Sequence, residues 1–64
     1  MIVNGKENNL YEGITVLDML NKMNLDASTV VIELNFNILE KEKYKSTFLN
    51  SDSKVEVIRF VGGG

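Results

Sequence analysis

The sequence closes on R-F-V-G-G-G, with Gly62, Gly63 and Gly64 directly behind a strand-like run. Glycine gives up more backbone freedom on ordering than any other residue, so three in succession after a strand need a reason. The group they present is the α-carboxylate of Gly64, whose ordinary pKa of about 3.5 leaves it ionised at neutral pH. It is an oxygen nucleophile on a stem without Cβ atoms, able to enter a narrow channel and offer its carbonyl from either side. Three extended residues carry it about 10 Å past the strand, far enough to reach another protein's active site. Ordering them costs of order 1–2 kcal/mol each, so the receiving protein must supply compensating contacts. The plain alternative is a frayed chain end, although no tag or cleavage remnant stands beside it.

Other chemistry is scarce. The chain has no histidine and no cysteine, which removes the commonest general base, the commonest metal ligand, thiolate sites and disulfides. Asp26, Glu33 and Asp52 do not form a catalytic pair, and their spacing suggests no metal site. Sixty-four residues make one small domain, and a chain of that size buries only about 60% of its unfolded surface. That leaves too little volume for a ligand pocket of the usual size. A net charge of −2 argues against nucleic acid, which is met by basic patches. M-I-V-N-G-K-E-N-N-L lacks the basic start and apolar run of a signal peptide, and no apolar stretch approaches the ~20 residues that cross a bilayer. The expectation is a soluble cytoplasmic domain, with residues 1–61 folded and 62–64 a flexible glycine tail.

The elements that must hold the tail read off in order. Met1 to Val3 is apolar and runs into Asn4-Gly5, a dipeptide suited to a tight hairpin turn; Leu10 and Tyr11 fall in the return strand, giving a hairpin over 1–11. Val16, Leu20 and Met23, with Met19 beside them, make one helical stripe from about Val16 to Met23 or Asn24. Thr15 is the N-cap and Asp18 the acidic member of a capping box, with Ile14 and Met19 placed for a hydrophobic staple. T-V-V-I-E-L over 29–34 is a strand, Asn35-Phe36-Asn37 a turn, and Ile38-Leu39 a brief return. Glu40 to Lys43 is a solvated charged turn. Tyr44 is a structural plug, and Phe48-Leu49 belongs to a loop pinned by buried side chains. Asn50 to Ser53 is a turn cluster, and K-V-E-V-I-R-F-V over 54–61 is the longest strand signal. The order β-β-α-β-β-β supplies one helix, which can cover only one face of a mixed sheet; the last strand belongs near the sheet centre, beside the first.

Strand alternation sorts the side chains. Met1, Val3, Val30, Ile32, Leu34, Val55 and Val57 face the helix. Ile2, Val31, Ile58 and Phe60 face the other way and make an apolar patch, with Arg59 at its rim. Exposed contiguous apolar surface marks a partner site; ordinary core packing or scattered surface apolar residues are the plain alternative.

The Asn4-Gly5 hairpin, the T-V-L-D-M-L helix start, V-V-I-E-L-N, the aromatic at position 44 and the ending V-E-V-I-R-F-V-G-G-G together resemble the thiamine-biosynthesis sulfur carrier proteins, along the whole chain. The turns Asn35-Phe36-Asn37 and Ser51-Asp52 depart from the Asn-Gly and Gly-Asp common in that family. The resemblance implies an α+β, ubiquitin-like β-grasp with a mixed four- to five-stranded sheet and one helix across one face. It also implies that the chain is a carrier and substrate rather than an enzyme. Gly64 would be adenylated by a ubiquitin-activating-type enzyme using ATP and Mg²⁺, converted to a thiocarboxylate through a cysteine-desulfurase relay, and unloaded on thiazole phosphate synthase. Gly62 and Gly63 would enter the partner's active site, and both partners would dock on the face of Ile2, Val31, Ile58 and Phe60. The chain itself would bind no cofactor and be a monomer when free. Sulfur delivery to molybdopterin or another pathway, a lysine-linked protein modifier, and a plain adaptor remain as alternatives.

Overall fold

Residues 1–60 are described by a computed structural model of the chain; residues 61–64, and with them the expected glycine tail, lie outside the described part. The first two strands, β1 (Ile2–Val3) and β2 (Lys6–Glu7), are joined by Asn4 at φ +50° and Gly5 at φ +82°. Two successive positive φ values define a type I′ turn, whose twist matches that of the strands it joins. Asn4 has a second use: its Oδ1 accepts the Val57 N–H at 2.8 Å and so ties the hairpin to the last strand.

The return strand is shorter than expected, ending at Glu7, so Leu10 and Tyr11 lie in turns. Asn8 is the cause. Its Oδ1 accepts the Leu10 N–H at 2.9 Å, a local side-chain bond that competes with ladder pairing, and Leu10 is left 78% exposed. The same loop encloses the N-terminus: the Met1 ammonium donates to Glu7 Oε2 at 3.0 Å, Asn9 Oδ1 at 3.1 Å and Glu12 Oε2 at 3.2 Å. The Glu7 hydrogen bond, the largest cause, and Glu12 raise its pKa against the opposing effect of desolvation.

Helix α1 spans Val16–Lys22. Thr15 Oγ1 accepts the Asp18 N–H at 3.1 Å and Asp18 Oδ2 accepts the Thr15 N–H at 3.3 Å, completing the capping box. Val16, Met19 and Leu20 are fully buried, while Asn24 at φ +58° turns the chain away beyond the helix. Seven residues are too few for an isolated helix to persist in water, so packing of this stripe on the sheet is what holds α1.

Strands β3 (Val30–Leu34), β4 (Asn37–Leu39) and β5 (Lys54–Arg59) complete a five-stranded sheet in the order β2-β1-β5-β3-β4. The pairing of β1 with β5 is parallel and the others are antiparallel. The last strand is therefore central and next to the first, as its composition implies. One helix lies against a five-stranded mixed sheet, and Met1, Val3, Val16, Met19, Leu20, Val30, Ile32, Tyr44, Leu49 and Val55 make the buried core between them. Tyr44 is the expected plug, buried, with its hydroxyl accepting the Ile32 N–H at 3.2 Å. Phe48 is not: it is 65% exposed while Leu49 is buried. Leu49 donates its N–H to Ile14 O at 2.9 Å and accepts from Gly13 N–H at 2.8 Å; that extended pairing turns Leu49 inward, and alternation then sends Phe48 outward. No helix among the described residues is long and apolar enough to cross a membrane.

Candidate functional site

Residues 61–64 follow the end of β5, which β3 and the Thr29 carbonyl hold, while β1 reaches only the start of the strand. β3 pairs with β5 over five residues, from Val30 opposite Arg59 to Leu34 opposite Val55. β1 pairs on the other side at Lys54 and Val55. One residue past the strand, the Phe60 N–H donates to Thr29 O at 3.0 Å. From there Gly64 is four residues away, a reach of about 14 Å when extended. Lys41 also approaches this corner, its Nζ 5.7 Å from the Phe60 ring centroid and 3.1 Å from Ser28 O, to which it donates.

The register sorts the expected docking residues more finely than alternation could. Val31 stands directly opposite Ile58 on the face that α1 does not cover, and Phe60 follows Ile58 in the same outward series. Ile58 is 45% exposed and Phe60 56%. These three come together beside the tail root. Ile2 is on the same face but opposite Lys54, four residues along β5 from Ile58, or about 13 Å. The row between them is Glu56, Glu33 and Ile38, paired in register, so the apolar patch is interrupted by two adjacent carboxylates. Arg59 is exposed, but its cross-strand partner Val30 is a core residue, which puts Arg59 on the helix side of the strand end. Gly62, Gly63 and Gly64 lie outside the described residues.

Ile38, 63% exposed, belongs to the open face, and sequence reasoning missed it because its place depends on pairing with Glu33. Phe36 was missed too. It holds the second central position of another two-residue positive-φ turn, with Asn35 at φ +51° and Phe36 at φ +72°. A bulky residue there is strained where glycine would not be; Lys54 Nζ sits 4.5 Å from its ring centroid. Its neighbour Asn35 earns its position, since its Oδ1 accepts the Lys54 N–H at 2.9 Å. No cluster of metal-ligating side chains occurs among the described residues.

A mixed five-stranded sheet with a single helix across one face and its last strand central is a ubiquitin-like β-grasp domain. The fold is matched by the crystal structure of a thiamine biosynthesis protein (ThiS) from Geobacter metallireducens, with a TM-score of 0.77 and 33% sequence identity, covering 98% of this chain and 96% of that one. The model of the ThiS family matches residues 1–64. A sulfur carrier protein ThiS of Bacillus subtilis is 36% identical over 50 residues, 78% of this chain and 76% of the relative. The chain belongs to the ThiS family, the sulfur carrier proteins of thiamine biosynthesis. A thiazole synthase of Paramagnetospirillum magneticum is 33% identical over 64 residues, and there the chain spans only 20% of the relative's length.

Proposed function

We propose that the chain carries sulfur on its main-chain end, as a thiocarboxylate of Gly64, for formation of the thiazole ring. The Gly64 carboxylate attacks the α-phosphorus of ATP in an adenylating partner that uses Mg²⁺; pyrophosphate leaves and an acyl-adenylate forms. The terminal sulfur of a persulfide on a cysteine-desulfurase relay displaces AMP and leaves an acyl disulfide. A second thiol of the relay cleaves it, releasing the Gly64 thiocarboxylate and leaving a disulfide on the relay, and thiazole phosphate synthase takes the sulfur. Gly62 and Gly63 enter each partner's active site, where the absence of Cβ atoms lets the channel close around the backbone. In this reading the protein is a substrate and carrier rather than an enzyme, binds no cofactor itself, works in the cytoplasm and is a monomer between encounters. Both partners dock on Val31, Ile58 and Phe60, with Ile2 a separate contact beyond the carboxylate row and Arg59 reached from the other face.

The observation that carries this reading is the central strand. A chain end that must reach about 14 Å into another protein needs a fixed origin, and β5 is paired with β3 through Arg59, with Phe60 bonded beyond it. Two relatives named thiazole synthase, matched over 20% and 19% of their lengths, support that enzyme as the destination. The test is the intact mass after incubation with ATP, a sulfur source and the cognate adenylating enzyme. A gain equal to replacement of one oxygen by sulfur is expected, and it disappears when Gly64 is deleted. An unchanged mass with a demonstrably active partner rejects the reading. Phe60→Asp is expected to block the mass gain while the fold persists; an unimpaired rate would remove the docking patch from the account.

A further inference from the structure

We infer that Lys41 is a positioning residue for the tail: its ammonium clasps Phe60 to the turn at Ala27–Thr29 and so sets the point from which residues 61–64 depart. The inference rests on the tail chemistry proposed above and names a residue that nothing in that chemistry requires.

Three contacts build the clasp. Lys41 Nζ donates to Ser28 O at 3.1 Å. The same ammonium stands 5.7 Å from the centroid of the Phe60 ring, within the range of a cation–π attraction. The Phe60 N–H donates to Thr29 O at 3.0 Å, so ring and backbone are both tied to one turn. That turn is itself locked, because Asp26 Oδ1 accepts the Ser28 N–H at 2.9 Å and the Ser28 hydroxyl at 2.8 Å, while Thr29 Oγ1 donates to Asp26 O at 2.7 Å. These bonds hold the Asp26 carboxyl below its usual pKa, the Ser28 amide contributing most and the Lys41 charge adding to it.

Lys41 is in turn held from the core. It opens the short helical turn Lys41–Lys43; the Tyr44 N–H closes that turn on Lys41 O at 3.1 Å, and the Tyr44 hydroxyl is bonded to Ile32. A line of contacts thus runs from the buried sheet through Tyr44 and Lys41 to the last described residue. A tail that starts from a fixed root is pre-organised, and pre-organisation lowers the ordering cost at the moment of binding. The clasp is exposed and contributes little to holding the fold, so its loss should appear in encounter with the partner and not in folding.

The experiment uses the full chain and the purified cognate adenylating enzyme, with pyrophosphate release as the readout. Lys41→Met keeps the aliphatic stem and removes the charge and the donor; Lys41→Arg keeps both. For Lys41→Met we expect a KM for the carrier about fivefold higher with kcat unchanged, and faster exchange of the Phe60 amide. Lys41→Arg should return KM to within about twofold of the parent. Equal KM values for Lys41→Met and the parent overturn the clasp, as does an arginine variant no better than methionine, which would assign the effect to lysine packing. If the parent chain releases no pyrophosphate with an active enzyme, the tail chemistry itself falls, a result separable from the other two.

Discussion

The two faces of the sheet are built from alternate residues of the same strands, yet they meet opposite fates. Toward α1, Val3, Val30, Ile32 and Val55 are buried. On the open face, Ile38, Ile58 and Phe60 are substantially exposed, and Glu33 lies directly against Glu56. Like charges opposite one another in a sheet oppose folding, and exposed apolar groups add nothing to it. The covered face accounts for why the chain folds; under the function proposed above, the open face is what partners meet.

That contrast can be broken most severely from the covered side. Ile32→Ala removes a fully buried side chain at the sheet centre and should cost about 2–5 kcal/mol, enough to unfold much of so small a domain. Phe60→Asp should change the urea midpoint hardly at all; a loss as large as that of Ile32→Ala would show that the faces are not separable. A smaller effect tests the plug: Tyr44→Phe leaves the Ile32 N–H buried without its acceptor and should cost about 1–3 kcal/mol by the same denaturation. On the open face the sign should reverse. Glu33→Gln or Glu56→Gln relieves the cross-strand repulsion and should stabilise by roughly 0.5 kcal/mol; destabilisation by either would mean the carboxylates are favourably engaged.

The smallest effect concerns pH. The Met1 ammonium of the 64-residue chain has a folded pKa raised above its ordinary value of 8.0, so its contribution is complete below that value and is lost as pH rises through the folded pKa. Stability should therefore decline on the alkaline side, and N-terminal acetylation should remove that decline. For Asp26, whose folded pKa is lowered from 3.8, the contribution is present above 3.8 and is lost as pH falls through the folded value, giving a small acid-side loss that Asp26→Asn abolishes.

Much of this was legible along the chain. Asn4-Gly5 marked the first turn, Thr15 and Asp18 the helix start, and alternation in 30–34 and 54–60 the inward and outward residues, because turn chemistry, capping and period act between near neighbours. The proposed tail chemistry likewise rests on a local feature, three glycines and a carboxylate, which lies outside the described residues. Reading failed where a distant partner decided. Phe48 turned outward because Leu49 pairs with Ile14; the early end of β2, by contrast, was a local signal that went unread, since Asn8 bonds Leu10 in its own loop.

By itself, then, the sequence determined which residues turn, cap and alternate. Tertiary structure alone decided that Glu33 meets Glu56, that Ile2 is parted from Ile58, and that Lys41 reaches Phe60. The physical reason is range. Backbone preferences and side-chain period are settled within a few residues, whereas strand register is settled by burying the covered face as a whole, and everything on the open face takes its neighbours from that choice.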